Sequence, residues 1–155
     1  MNGERLGTTN GRRKYDLEDR LLNHSVMILK VVEQLPNTRT GNHIAGQLVR
    51  CGTSPLPNHG EAEAAESAAD FAHKLKVCLK EFRESKRWLL LIQRARLLTD
   101  EVQLSATLQE TEELTRIFVA SLRTVERKKQ ERQARRNGLN AEHRTSNFER
   151  RRAED

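Results

Sequence analysis

Apolar residues recur three and four positions apart through most of this chain, a pattern that predicts amphipathic α-helices. The clearest run alternates steps of four and three through Phe71, Leu75, Cys78, Phe82, Ser85, Leu89 and Ile92. Such heptad spacing is typical of the packed seam of a helix in a left-handed bundle. Ser67 and Asp70 resemble a capping box at its start. We therefore predict a long helix from about Ser67 to about Leu98.

Three further apolar stripes predict three more helices. The first covers residues 17–35, with Asp16 as its N-cap and Pro36 ending it. The second begins near residue 41, and the fourth follows a turn and cap at Asp100. Their apolar positions are Leu17, Leu21, Ile28, Val32 and Leu35; Ile44 and Leu48; and Leu104, Leu108, Thr111, Leu114, Phe118, Ser121 and Val125.

The second helix is interrupted at residues 51–67, which read CGTSPLPNHGEAEAAES. A proline inside a helix removes one hydrogen bond and clashes with the preceding turn, at a cost of about 3 kcal/mol. Pro55 and Pro57 therefore predict a bend between Thr53 and Asn58, after which good helix formers resume. The predicted fold is all-α: an antiparallel up-and-down four-helix bundle over residues 15–128, with a kinked second helix.

The net charge of +6 is concentrated at the two ends of the 155-residue chain. Residues 1–14 carry four basic and one acidic side chains, and residues 126–155 carry ten basic and six acidic ones. We predict a flexible basic arm over residues 1–14 and a basic, disordered tail over residues 129–155. Residues 126–136 are good helix formers and can prolong the last helix, so disorder is expected mainly from Gly138 onward.

Cysteine usage and hydropathy indicate a reduced, cytoplasmic protein. Cys51 and Cys78 form no CxxC pair, and no apolar run reaches the roughly 20 residues that span a bilayer. The first residues also lack the apolar core of a secretion signal. We expect neither a membrane partner nor export.

Enzymatic chemistry finds little support. The kink segment lacks the lysine and preceding strand of a phosphate-binding loop. A metal site would have to combine His59, Glu63, Asp70 and His73, whereas bundle dimetal sites need two Glu-x-x-His motifs and two further glutamates. A solvated acidic face is the favoured interpretation of Glu61, Glu63 and Glu66. We predict no enzyme activity, no metal and no cofactor.

A row of cations on the third predicted helix is the first candidate nucleic-acid site. Five residues spaced by three, four or seven lie opposite the apolar seam: Lys76, Lys80, Arg83, Arg87 and Arg94. Such a row fits phosphates by charge without reading sequence. It carries no stacking aromatic, so readout of single-stranded bases is not expected. The alternative is an ordinary solvated face neutralised by Glu81 and Glu84.

The second candidate lies near the C-terminus, at Lys128, Lys129, Arg132, Arg135 and Arg136. Glu126 and Glu131 are interleaved with these cations and weaken their field. The alternative here is a tail that only improves solubility.

Three segments resemble one protein family: YDLEDRLLNHSVMILKVVEQLP, HIAGQLVRCGTSPLPNHGEAEAAES and DFAHKLKVCLKEFRESKRWLLLI. They are similar to the small bacterial four-helix-bundle proteins encoded in intervening sequences of 23S ribosomal RNA genes. That family is related in fold to the accessory variability determinant of diversity-generating retroelements. Pro57 and His59 depart from the alanine and the aromatic residue expected at those positions.

The resemblance implies a homo-oligomer, in several relatives a ring-shaped pentamer, with no known catalytic activity. In the retroelement branch, a basic ring partners a reverse transcriptase and its template RNA. We therefore predict a non-catalytic oligomer that binds RNA or assists a reverse transcriptase. The alternative is a structural scaffold for protein–protein contact. Apolar side chains outside the main seams, Leu90, Leu91, Leu97 and Leu98, also suggest oligomerisation.

Overall fold

The structure is a computed structural model that describes the backbone of residues 12–152 and the side chains of residues 17–138. Its helices are α1 (Arg12–Glu33), α2 (Arg39–Thr53), α3 (Pro55–Glu63), α4 (Ala68–Arg94) and α5 (Glu101–Arg152). No strand occurs within this part of the chain. The helices α2 and α3 are the two halves of the predicted second helix, so the five segments build a four-helix bundle. The predicted all-α fold class is confirmed.

Contacts between neighbouring helices run in opposite order along the chain, which makes the neighbours antiparallel. On the α2–α3 side of α4, Arg50 pairs with Glu84, and Glu61 pairs with Lys74. Going from the first pair to the second, the chain advances eleven residues along α2–α3 and goes back ten residues along α4. On the other side, Phe82 contacts Phe118 and Lys86 pairs with Glu112. The links between helices are short, as expected for an up-and-down bundle.

Side-chain caps fix most of the helix starts. The Ser67 hydroxyl accepts a hydrogen bond from the Asp70 amide at 3.1 Å, and the Asp100 carboxylate accepts from the Val102 and Gln103 amides at 3.1 Å. Both predicted caps are therefore confirmed. The predicted N-cap at Asp16 is wrong, because α1 begins at Arg12 and Asp16 lies inside it. Residues 12–15 contain no glycine or proline, so nothing in them stops the helix earlier.

The break between α2 and α3 falls at Ser54, within the predicted interval. Ser54 keeps helical dihedral angles (φ −58°, ψ −35°), so the chain bends without reversing. Pro55 occupies the first turn of α3, where its missing amide donor is not needed. The Asn58 side chain donates to the Ser54 carbonyl at 2.9 Å and to its hydroxyl at 3.0 Å. The bend is thus held by hydrogen bonds from its own residues.

The predicted seam of α4 forms the centre of the core. Six of its seven positions are buried, and only Phe71, in the first turn, is half-buried. The core also contains two polar residues that the sequence analysis left out, His24 and Thr107, although each lies three residues after a buried leucine. His24 Nε2 lies 2.8 Å from the hydroxyl of Thr111, which links α1 to α5.

The chain forms two compact units, with the division between Val119 and Ala120. Residues 126–138 are all exposed, in agreement with an apolar stripe that stops at Val125. The backbone of α5 stays helical to Arg152, whereas the sequence analysis predicted a disordered tail over residues 129–155. Good helix propensity accounts for the helix through residues 126–136. The bundle limit at residue 128 stays a prediction, and most of the predicted N-terminal arm lies outside the described residues.

Within the described residues, none of the helices combines the length and the apolar character that a membrane-spanning segment requires.

Candidate nucleic-acid interface

The five predicted cations of α4 form a continuous exposed row, which we call the α4 ridge: Lys76, Lys80, Arg83, Arg87 and Arg94. At about 100° per residue, these side chains fall within an arc of about 60° on the helix surface, opposite the buried seam. The helical rise places Lys76 and Arg94 about 27 Å apart along the axis. The structure therefore brings the five predicted residues together on one face.

The acidic neighbours do not neutralise this ridge. Glu81 and Glu84 lie roughly 130° and 70° around the helix from its centre. Glu84 instead pairs with Arg50 of α2, at 3.1 Å. Within the described residues, four ridge cations make no ion pair: Lys80, Arg83, Arg87 and Arg94. An unneutralised row of this kind favours an anionic partner over an ordinary solvated face.

A second row, which sequence reasoning missed, lies on α2. Arg39, His43, Gly46 and Arg50 follow at steps of four, three and four, and all four are exposed. They fall within about 60° of arc, opposite the buried face of α2. We call this set the α2 row. Its spacing was visible in the sequence, but its position beside the α4 ridge depends on how the helices pack.

Two contacts place the α2 row next to α4. The rings of His43 and Trp88 meet edge to face, with centroids 6.1 Å apart and planes at 74°, and Arg50 pairs with Glu84. Packed helices are typically 8–10 Å apart, so the α2 row and the α4 ridge flank a shallow strip. Three residues of α4 lie between them: Glu84, Trp88 and the half-exposed Leu91. The ridge itself carries no aromatic residue, but an aromatic pair borders it.

The predicted C-terminal cations also share one side of their helix. Lys128, Lys129, Arg132, Arg135 and Arg136 are exposed and lie within about 120° of arc on α5. Glu126 and Glu131 lie outside that arc, and Glu131 is 4.0 Å from Arg127. The cations and acids that are mixed in the sequence are thus separated on the helix surface.

Comparison with known proteins shows which family this chain belongs to. The model of the 23S rRNA-intervening sequence protein family matches residues 14–120. The chain belongs to this family. A crystal structure of a protein of unknown function from the S23 ribosomal protein family of Bacteroides thetaiotaomicron is 32% identical to it, with a TM-score of 0.63. That match covers 68% of this chain and 97% of the other. No curated protein matches.

The family match ends at residue 120, so it includes the α4 ridge and the α2 row and excludes the C-terminal cations. These two rows belong to the bundle shared with the family. The C-terminal cations belong to a part of this chain that the match does not reach.

The four residues considered for metal binding do not form one site in the structure. His59 is buried, with its ring against Phe118 at 5.9 Å, whereas Glu63, Asp70 and His73 are exposed. Among the described residues, no three histidine, cysteine or acidic side chains are grouped as metal ligands.

Both cysteines are buried in positions unsuited to nucleophilic chemistry. Burial raises the pKa of the Cys78 thiol to about 12 and also raises that of Cys51. Cys78 Sγ donates to the Pro55 carbonyl at 3.6 Å, at the bend of the second helix. The arrangement suits packing, since the thiolate is the reactive form of cysteine.

The apolar residues suggested for oligomer contact are only partly on the surface. Leu98 is buried in the core and Leu97 packs against it, Leu90 is half-buried, and Leu91 is 46% exposed. A clearer apolar surface lies on α1, where Leu22, Val26 and Leu29 are 50%, 40% and 42% exposed. Their steps of four and three place them on one side of α1. We call this set the α1 stripe.

Proposed function

We propose that this chain is a non-catalytic, oligomeric RNA-binding protein of the cytoplasm that acts through its basic surfaces. One observation carries the proposal: the α4 ridge is exposed along about 27 Å of helix, and four of its five cations lack an ion pair in the described residues. The retroelement relatives suggest a finer role, in which the bound RNA is presented to a reverse transcriptase.

Electrostatics give the proposed binding its expected character. Cations that neutralise phosphates release condensed counterions, so affinity falls steeply as the salt concentration rises. Phosphate contacts also fix the position of a nucleic acid without specifying its sequence. We therefore expect salt-sensitive binding with weak sequence preference. The charge-separated C-terminal cations provide a second surface of the same kind.

The proposed absence of catalysis is supported by the burial of three side chains of types that often act in catalysis, two cysteines and a histidine. The two thiols have raised pKa values in the core, and the buried His24 is hydrogen-bonded to Thr111. A catalytic group must reach its substrate, whereas these groups face the interior.

Homo-oligomerisation is supported by the α1 stripe, and the pentamer as its proposed form rests on the resemblance to ring-forming relatives. Three large apolar side chains on one helix face are unusual on a surface this rich in charge. Contact with another subunit would bury them. Glu18, Asp19 and Glu33 are also exposed on α1 and can border such a contact with charge.

Fluorescence anisotropy with a labelled RNA tests the RNA-binding proposal. The wild-type protein should bind in about 50 mM salt and lose affinity steadily as salt rises, with a slope of log K against log salt of about −0.7 for each phosphate contact on a single strand. Lys80→Glu with Arg87→Glu should abolish most of this affinity. Binding that is unchanged in the double variant would disprove the role of the α4 ridge.

A matched control is available in Lys30→Glu with Arg123→Glu, which changes the net charge equally. Both residues are exposed, and they belong to none of the three sets: the α4 ridge, the α2 row and the C-terminal cations. This variant should bind nearly as well as wild type, because it leaves the row of phosphate-binding cations intact. Equal loss in both double variants would show a response to net charge alone.

A scaffold for protein–protein contact is the second candidate, and the α1 stripe favours it. An apolar surface can engage another protein as well as another subunit. A protein that forms an oligomer and binds no RNA at low salt would support the scaffold over the RNA-binding function.

A further inference from the structure

We infer that Trp88 and His43 form a stacking subsite for an unpaired base, so that the RNA bound here is single-stranded where it crosses α2 and α4. This inference rests on the proposed RNA-binding function and specifies its substrate class. Proteins that bind single strands combine cations that follow the phosphates with aromatic rings that stack on the bases. Cations flank the strip between the α4 ridge and the α2 row, and Trp88 lies within it.

The aromatic pair lies between cations on either side. Arg87 directly precedes Trp88 on α4, and Arg94 lies less than two turns further along. On α2, Arg39 lies one turn before His43. A strand whose base occupies the aromatic pair therefore has cations available for phosphates on both sides of that base.

The acid in this strip is already engaged. Glu84 lies one turn before Trp88 and would repel a phosphate if it were unpaired. Arg50 binds it at 3.1 Å, which removes most of that repulsion. Glu84 therefore offsets little of the positive field that the flanking cations create.

The His43 ring is free to adjust to a ligand. It is exposed, it contacts Trp88 edge to face, and it makes no hydrogen bond within the described side chains. Exposed side chains change rotamer on the picosecond to nanosecond scale, so His43 can swing aside or close over a base. Gly46, one turn further on α2, leaves open space, since a Cβ there would meet no atom within 4 Å.

A base-paired duplex uses this strip less well. Its bases are already stacked on one another and their faces are not available to an aromatic ring. A duplex can still bind the α4 ridge through phosphates, but it gains nothing from Trp88. The aromatic pair thus predicts a preference for single strands that the charge alone does not give.

Trp88 is the only tryptophan in the chain, so its fluorescence reports on this one position. The full-length protein is titrated with a 12-nucleotide oligouridylate, a 12-base-pair RNA duplex and inorganic polyphosphate, while anisotropy of labelled RNA measures binding independently. Oligouridylate should quench the fluorescence at saturation, and polyphosphate should not, because it has charge without bases.

His43→Ala should weaken oligouridylate binding at least about fivefold, within the range seen when a stacking aromatic is removed. It should leave polyphosphate binding unchanged. His73→Ala is the matched control, since His73 is also exposed but lies on the first turns of α4, and it should change neither affinity. Trp88→Phe, which retains an aromatic ring in the packed position, should keep most of the single-strand affinity.

The outcomes separate the two proposals. Binding of oligouridylate without quenching, or equal affinity of His43→Ala and wild type, would overturn the stacking subsite and leave the RNA-binding function standing. Tighter binding of the duplex than of the single strand would also overturn it. Failure of every RNA to bind in low salt would overturn the proposed function and this subsite together.

Discussion

Gly52 of α2 lies directly against Ile28 of α1. A Cβ on Gly52 would come within 2.7 Å of Ile28 Cγ2 and within 2.9 Å of two further atoms of that side chain. Ile28 is fully buried and β-branched, so it cannot turn away. The glycine of the CGTSP segment is therefore a packing requirement, because it lets α1 approach the end of α2 just before the bend.

Gly52→Ala should destabilise the bundle. Overpacking a tight core typically costs about 1–3 kcal/mol, and the better helix propensity of alanine returns up to about 1 kcal/mol. We expect a net loss of about 1–2 kcal/mol in the free energy of unfolding, measured by urea denaturation. Gly46→Ala is the control, because a Cβ there meets open space. It should be neutral or stabilising, and equal loss in both variants would contradict the packing argument.

The burial of His24 should make the stability of the fold depend on pH. Burial lowers the pKa of His24 to about 4, although the charge of Glu110 and a backbone hydrogen bond with Gly52 oppose that shift. The unfolded chain takes up a proton near pH 6.5, whereas the folded chain does not until about pH 4. The contribution of neutral His24 to the free energy of unfolding is therefore fully present above pH 6.5. It is lost as the pH falls, and the loss reaches about 2.5 kcal/mol at pH 4.5.

Urea denaturation of His24→Gln at pH 7 and at pH 4.5 isolates this contribution. The variant should be less stable at pH 7, but it should lose much less on acidification than wild type. His73→Gln, at an exposed histidine, should follow the wild-type pH dependence. A wild-type protein whose stability does not change between these two pH values would contradict the buried, neutral state of His24.

The sequence predicted the fold because the apolar spacing and the residues that start or break helices agreed with each other. Three local signals each correspond to a feature of the structure: the heptad seam of α4, the caps at Ser67 and Asp100, and the prolines of the second helix. Asp16 misled the analysis because an acid favours a helix start without excluding a helix interior. His24 and Thr107 also lie on the apolar stripes, three residues after Leu21 and Leu104, and the sequence analysis missed them because their side chains are polar.

Only part of the candidate site could be predicted from the sequence, because spacing along one helix does not show which helices pack together. The α4 ridge lies on one helix, so its spacing was enough to predict it. The α2 row and the His43–Trp88 contact depend on the packing of two helices, and no spacing within one segment encodes that. The segregation of acids from cations after Glu126 also follows from spacing on one helix, but the sequence analysis assigned residues 129–155 to a disordered tail, to which helical spacing does not apply.

Cys51 and Cys78 should resist thiol reagents in the folded protein. Burial raises the pKa of both thiols, and both side chains are buried. With a pKa of about 12, Cys78 has almost no thiolate at pH 8. A chromogenic disulfide reagent at that pH should detect no thiol in native protein and two thiols in guanidinium chloride. Rapid labelling of native protein would show that the core opens readily, or that one thiol is accessible.

The α1 stripe should control assembly if the proposed oligomer forms through it. Leu22→Gln with Leu29→Gln replaces two half-exposed apolar side chains and should cost the single bundle little, because neither is in its core. The same change would place polar groups in an apolar contact between subunits. Light scattering coupled to size-exclusion chromatography should therefore give an oligomer for wild type and a smaller species for this variant.

Val102→Gln is the control for this experiment, since Val102 is 80% exposed and stands outside the α1 stripe. It removes an apolar side chain from the surface without touching α1, so the mass should stay that of wild type. A monomeric wild-type protein would contradict the proposed oligomer itself. An oligomer that survives Leu22→Gln with Leu29→Gln would instead mean that subunits meet through another surface, and the α1 stripe would then remain available to a different protein, as the scaffold function requires.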